Sequence, residues 1–447
     1  MKTSANRPTL KSLALRGSVW TVFGHGGGQI IRLLRSLVLT RLLFPEAFGV
    51  MSLVWVVMYG LEMFSDIGIG PAVIRDKRGD DTEFLNTAWT LQAARGAFLW
   101  GGACILALPM AAFYSEPELA RLIPVAGLTA LIAGFNSTAL QTCRRRMEFG
   151  RLTLLEVSNE AVGLVVTVIW AILDPSVWAL VGGALIGRLY YTLASHFLLP
   201  GIRNSIHWEP EAFHTIFGFG KWIFFSSMFQ FLANQSDRML LGRYLSMTEL
   251  GIYSIAIMLS EAAHALILKV NYGVMFPAFG RVVQNEVVNL RAVYYRARLG
   301  IDAALILPIA VLMMLGDRVV GVLYDPRYHA AGWMLQILCV RLLMAAALTN
   351  SEVCLVALGY PQYAFAQNVL RAAWILIGVP VGWFLHGLRG VVWAVSLYEI
   401  PVLIVLWIGL MRHKILLLVA ELRSLAFVLL GVLIGLALRY LLPPSPL

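Results

Sequence analysis

Apolar runs long enough to cross a bilayer follow one another from residue 16 to residue 441, with only short polar breaks between them. A hydrocarbon core takes about 20 apolar residues per helix. Runs lie at 16–43, 47–71, 84–113, 118–142, 152–173 and 176–199, then at 215–243, 248–278, 292–323, 329–358, 363–385 and 390–411. A thirteenth covers 415–441. Only 13% of the residues are charged, about half the share usual in soluble domains. The pattern predicts an all-α polytopic membrane protein with no soluble domain left over.

The chain echoes itself 202 residues on. Residues 29–75 read as two apolar helices joined at Pro45-Glu46, with proline suited to the first turn of the second helix. At that offset Arg41 falls on Arg243, Leu43 on Leu245, Gly49 on Gly251, Ser52 on Ser254 and Trp20 on Trp222. Pro71-Ala72 meets Pro277-Ala278 at an offset of 206, and Val177-Trp178-Ala179 is echoed by Val392-Trp393-Ala394. A half-chain repeat of membrane spans is a common transporter plan. The expected organisation is a six-helix bundle over 1–199, a cytoplasmic linker over 200–214, a second six-helix bundle over 215–411, and an additional transmembrane segment within 412–447.

Loop charge orients the spans. Arg75, Lys77, Arg78, Arg144, Arg145, Arg146, Arg151, Arg203, Arg281, Arg291, Arg412 and Lys414 gather on the side of the N-terminus. The opposite turns, such as FPEA, YSEPE, DPS and HGLRG, are short and poor in basic residues. The N-terminus is expected in the cytoplasm, and six spans per half makes the halves parallel repeats. The net charge of +10 reports orientation, because the basic residues are dispersed; no nucleic-acid partner is implied. The N-terminal stretch is polar and basic and lacks a cleavage site, so the first span is expected to stay attached. Four scattered cysteines indicate neither a disulfide framework nor a metal site, and no cofactor is expected.

Charged groups inside spans cost at least ~2.5–3.5 kcal/mol at the centre and are expected to face other helices or water. The cations are Arg32, Arg35, Arg95, Arg188, Lys221, Lys269, Arg341 and Arg371; the acids are Asp66, Glu160, Asp237, Glu261, Glu352 and Glu399. Arg32 and Arg35 share one helical face, and two guanidiniums there suit a phosphate or diphosphate. The structural alternative pairs them with Asp237, which holds the place of Arg35 in the repeat. Arg371, with Gln367 and Asn368 one turn earlier, forms a polar patch; Lys269 either lines a cavity or snorkels to headgroups. The Gly24–Gly28 run follows no strand, so it reads as a bent helix and not as a nucleotide loop.

The segments TRLLFPEAFGVMSLV, DIGIGPAVIR, QSDRMLLGRYLSMTELGIYSIA and RRRMEFGRL resemble the polysaccharide transporter (Wzx-type) flippases. That family shares a superfamily with lipid II flippases and multidrug and toxin extruders. The resemblance implies two six-helix bundles forming a V-shaped cavity, with the thirteenth helix outside that core. It implies transport of an undecaprenyl-diphosphate-linked oligosaccharide from the cytoplasmic to the periplasmic leaflet of the bacterial inner membrane by alternating access. Membrane lipids and the polysaccharide polymerase and export machinery are the implied partners, and a monomer is expected. By residue type and depth, Arg32, Arg35, Lys269 and Arg371 match the substrate-binding role; Asp66, Asp237 and Glu160 are the candidates for ion coupling.

Two other readings compete. A drug–cation antiporter of the same fold calls for acids in the first bundle, whereas the first span has arginine and histidine and no acid. A membrane-embedded polymerase or ligase calls for a substantial outer loop, and the outer loops here are a few residues long. The sequence offers no catalytic constellation, and the chain is read as a non-enzyme.

Overall fold

A computed structural model of the 447-residue chain describes residues 10–65, 68–284 and 290–441, and the side chains of 26–65, 68–217, 231–232, 235–280 and 291–441. All regular structure among them is helical: α1 (Leu10–Leu42), α2 (Pro45–Met63), α3 (Ile69–Arg75), α4 (Thr82–Tyr114), α5 (Leu119–Gly134), α6 (Ala139–Arg145), α7 (Phe149–Leu173) and α8 (Val177–Phe197). There follow α9 (Pro210–Tyr244), α10 (Met247–Val270), α11 (Phe276–Gln284), α12 (Leu290–Leu323), α13 (Ala331–Ala357), α14 (Gln362–Ser396), α15 (Glu399–Arg412) and α16 (Leu418–Leu441). Nine stretches among the described residues are long and apolar enough to cross a membrane, ten if the bent pair α5–α6 counts as one. The chain is a multi-pass membrane protein.

The elements start and stop for local reasons. Pro45 opens α2, and Ser246 and Glu249 form a reciprocal capping box at the start of α10. The reversal at HGLRG falls inside α14, where Gly387 has φ 57 and ψ −140, a conformation that only glycine adopts without strain. Trp374, before that turn, donates its indole N–H to the Ala394 carbonyl beyond it at 2.9 Å.

Two spans are more broken than their apolar patterns predict. Within the run 47–71, α2 ends at Met63 and α3 begins at Ile69; at the end of α2, Arg95 of α4 donates to the Glu62 carbonyl (2.8 Å) and to Ser65 Oγ (3.0 Å). Arg95 thus satisfies a backbone group that a helix end in the membrane leaves open. The run 118–142 bends by 59° between α5 and α6. There the Gln92 amide donates to the carbonyls of Ala133, Gly134 and Asn136 at 3.3, 3.1 and 3.0 Å.

Packing groups the chain into two units: Met1–Leu43 with Leu53–Met228, and Phe44–Ser52 with Phe229–Leu447. In the first, α4 lies along α5, α7 along α8 and α1 along α7. Close approach comes from small residues, Gly96 against Ala130 and Gly134, and Gly182 and Gly183 against Trp170 and Thr167, as expected where lipid supplies no hydrophobic drive between helices.

The expected linker is strapped to this unit. Backbone N–H groups of Ser205, His207 and Glu209 donate to Asn86 Oδ1, Thr90 Oγ1 and Thr87 Oγ1 at 3.0, 3.0 and 3.1 Å. Alternate residues of an extended segment point one way, so one edge of the linker meets one face of α4. Asn204 bonds Ser137 and Thr138, and Arg78 reaches Glu209 at 2.7 Å.

In the second unit α13 packs against α10, α12 and α14, and α16 lies along α12. Arg298 of α12 bonds Asp302 (2.8 Å) and Glu421 of α16 (2.7 Å), with side-chain exposures of 2%, 5% and 8%. Ser424 and Asn350 bond Asp302, and Tyr294 accepts from Arg298. Further along, Gly431 meets Leu307 and Ala310, Gly435 meets Val311 and Met314, and Arg439 pairs with Asp317 at 2.7 Å. The partner numbers rise together, so α16 runs parallel to α12.

Candidate functional site

The apolar face of α1 is interrupted by Gly28, Arg32 and Arg35, which recur at helical spacing and so share a face. Along the facing helix α7, Glu156, Asn159, Glu160 and Gly163 do the same. The packing of α1 on α7 brings the two polar stripes together. Arg32 Nη1 donates to Glu160 Oε1 at 2.7 Å, and Arg35 Nη1 stands 3.8 Å from the other carboxylate oxygen. One carboxylate therefore serves two guanidiniums and leaves a local excess of one positive charge. The three side chains are 39%, 35% and 21% exposed, so the arginines remain accessible.

A pocket of about 180 Å³ opens beside the pair, lined by Gly28, Arg32, Glu156, Val157, Asn159, Glu160 and Tyr191. Gly28 and Gly163 flank the two guanidiniums: the space a Cβ would take lies 3.7 Å from Arg32 Nη2 at Gly28 and 3.8 Å from Arg35 Nη1 at Gly163, ordinary contact distances. Asn159 Oδ1 is buried and has no hydrogen-bond partner among the described residues. Chemically, the pair offers charge-assisted donors that can hold an anion once Glu160 gives way.

The remaining candidates lie elsewhere. Arg371 gives two 3.0 Å hydrogen bonds to Glu399, which is fully buried at the break between α14 and α15. Its guanidinium and that of Arg341 lie over the Tyr398 ring, at 5.6 and 5.8 Å. Arg341 also bonds Ser260 and Glu261 at 2.8 and 2.9 Å, so this polar centre joins α10, α13, α14 and α15. Lys269 ends α10 with no carboxylate within 4 Å among the described residues. Asp237 accepts from Tyr253 at 2.9 Å within the second unit, and in the first unit Arg35 faces Glu160. Asp66 and the Lys221 side chain lie outside the described residues.

Sequence reasoning passed over Arg298, Asp302 and Glu421. Their signal was an arginine and an aspartate four apart within one apolar run and a glutamate inside the last run. It also left Asn159 and Tyr191 unremarked, since neither residue type stands out in a membrane helix.

Residues 38–332, more than half of the chain, match a family described as polysaccharide biosynthesis protein. The succinoglycan biosynthesis transport protein ExoT of Rhizobium meliloti (strain 1021) is 23% identical over 288 residues, which cover 62% of this chain but only 56% of ExoT. The lipopolysaccharide biosynthesis protein WzxC of Escherichia coli (strain K12) is 22% identical over 394 residues, 88% of this chain and 80% of WzxC. Among solved structures, the lipid II flippase MurJ in an inward closed conformation superposes with a TM-score of 0.74 at 12% identity, over 95% of this chain and 99% of MurJ. An inward-facing multidrug resistance transporter of the MATE family gives 0.71 at 15% identity, over 87% and 94%. At such identities the structures establish a shared fold.

Proposed function

We propose, from the premise that this chain belongs to the polysaccharide biosynthesis protein family, that it is a flippase for an undecaprenyl-diphosphate-linked oligosaccharide. It carries the headgroup from the cytoplasmic to the periplasmic leaflet of the inner membrane by alternating access, with its N-terminus in the cytoplasm. The observation that carries this reading is the Arg32–Glu160–Arg35 arrangement beside an open pocket.

A diphosphate cannot enter hydrocarbon without its charge being matched, because burying an unpaired ion costs far more than any binding step returns. Two guanidiniums on one helix face present planar donors to adjacent phosphate oxygens. In the empty carrier Glu160 holds them; on loading, the diphosphate takes its place. Glu160 is then the acid best placed to couple headgroup binding to a proton or cation, and Asp237 is the acid offered by the second unit. Lys269, which has no acidic partner among the described residues, is the further substrate contact we favour. Arg371 is committed to Glu399 and adds to substrate binding only if that pair opens. The names of ExoT and WzxC, transport and lipopolysaccharide biosynthesis proteins, support the substrate class.

The test is protein-dependent flipping of a labelled undecaprenyl-diphosphate oligosaccharide in proteoliposomes, wild type against Arg32→Ala/Arg35→Ala, with folding checked in both. Loss in the double variant is expected. Exchange of organic cations against protons, with no lipid flipped, would replace this reading with drug antiport.

A further inference from the structure

We propose that the pocket bounded by α1, α7 and α8 is a saccharide subsite, taking the sugar joined directly to the diphosphate. This rests on the reading that Arg32 and Arg35 hold that diphosphate. Three observations carry it.

The first is position. Arg32 is both an anion donor and a wall of the pocket. A diphosphate on the arginine pair therefore places the group bonded to it at the pocket mouth.

The second is the wrong chemistry for more phosphate. Glu156 and Glu160 both line the pocket, and two carboxylates one helical turn apart repel a second anion. An ionised carboxylate only accepts hydrogen bonds, and sugar hydroxyls are donors. Glu156 has Arg144 as a looser partner at 3.8 Å and is 53% exposed, so its oxygens are open to a ligand. Charged walls equally exclude the polyprenyl tail.

The third is an unmet acceptor. Asn159 lines the same pocket, and its Oδ1, turned toward Gly187 of α8, is buried with no donor among the described residues, so a turn of the amide brings an unmet acceptor to a ligand. A buried polar atom left alone costs free energy that a ligand hydroxyl would relieve. The volume of about 180 Å³ is below the roughly 300–1,000 Å³ of drug-sized sites, which suits one ring and not a chain of sugars. The first sugar is thus read by α7, and the rest of the glycan is not read here.

The experiment measures binding by the purified full chain in nanodiscs. The probes are undecaprenyl diphosphate and lipid-linked oligosaccharide extracted from the producing cells. Glu156→Gln and Asn159→Leu are each expected to weaken binding of the glycosylated lipid by roughly tenfold, the value of one hydrogen bond to a charged or buried group. Both should leave bare undecaprenyl diphosphate within about twofold, since the arginine pair is intact. Asn159→Ala serves where leucine disturbs folding, as judged by thermal unfolding. Equal losses for both lipids, or no loss for either, would overturn the subsite. So would tighter binding of both lipids by Glu156→Gln, because the carboxylate would then act only by repulsion. If the wild type binds neither lipid, or Arg32→Ala/Arg35→Ala leaves bare-lipid binding unchanged, the diphosphate reading falls and the subsite with it.

Discussion

Gly49 and Gly251, 202 positions apart, each press against the backbone of the other's hairpin: a Cβ on Gly49 would collide with the Met247 carbonyl, and one on Gly251 with the Pro45 carbonyl. Pro45 and Met247 are themselves 202 apart, and so are Glu46 and Thr248, which share a 2.6 Å hydrogen bond. Residue i meeting j while j's mate meets i's mate is the relation a twofold axis imposes. All of these residues belong to the second packing unit.

Alanine at Gly49 or Gly251 should therefore destabilise the fold by about 1–3 kcal/mol, the usual cost of overpacking. Gly101, inside α4 with nothing within 4 Å of an added Cβ, is the control, and alanine there should be neutral or stabilising. Thermal unfolding in detergent reads both. Equal melting temperatures for Gly49→Ala and Gly101→Ala would refute the close crossing.

Removing Arg298 strands two buried carboxylates, whereas removing Glu421 leaves the Arg298–Asp302 pair neutral. Arg298→Ala is expected to cost roughly 3–5 kcal/mol and Glu421→Ala clearly less, and replacing the whole cluster with apolar residues of similar volume should be far milder than Arg298→Ala. Protease sensitivity of α16 in the three variants distinguishes them.

Arg371→Lys separates a structural role from a ligand role. Lysine keeps the charge but loses the planar guanidinium that lies over the Tyr398 ring, so stability should fall; Arg371→Met with Glu399→Gln should restore much of it by removing both charges together. If that double variant folds and transports, Arg371 serves the fold and does not hold substrate. If it folds and does not transport, Arg371 touches the substrate.

Glu160→Gln removes the internal competitor of the arginine pair. Undecaprenyl diphosphate should bind several-fold more tightly, since a freed guanidinium pair no longer exchanges partners, while turnover should fall because release loses its replacement ion. Stability should fall modestly, since the two guanidiniums left without their carboxylate are 39% and 35% exposed and so partly solvated. Weaker binding in this variant would contradict the exchange.

The strap over α4 is tested with Asn86→Ala, Thr87→Ala and Thr90→Ala. Each removes a partner of one linker N–H and should cost about 1 kcal/mol. Limited proteolysis within 202–209 should speed up progressively as the three are combined. An unchanged rate in the triple variant would mean that other contacts hold the segment.

The hairpin turns at Pro45 and at HGLRG were legible in the sequence because proline, glycine and the apolar period are local signals, and the 202-residue echo marked Gly49 with Gly251. The partner of Arg32 and Arg35 was not. Glu160 stood among the intramembrane acids, but the echo pointed to Asp237, and choosing between them requires knowing that α1 lies on α7. Arg95 read as an isolated buried cation; its purpose follows from the early end of α2 at Met63, which the apolar run up to residue 71 hides. Arg298, Asp302 and Glu421 were overlooked because near the ends of apolar runs charges commonly snorkel, and only the parallel docking of α16 on α12 buries them.

That docking also sets an order of events at the ribosome. Arg298 and Asp302 are synthesised together, but Glu421 follows Arg298 by 123 residues. At roughly 5–20 residues per second, α12 spends on the order of ten seconds in the translocon and membrane before its third charge arrives. Over that interval the arginine and aspartate, a turn apart on one helix, neutralise each other, with Tyr294 and then Asn350 as their further partners. The second unit therefore completes this buried polar cluster only when α16 has been made and docks along α12.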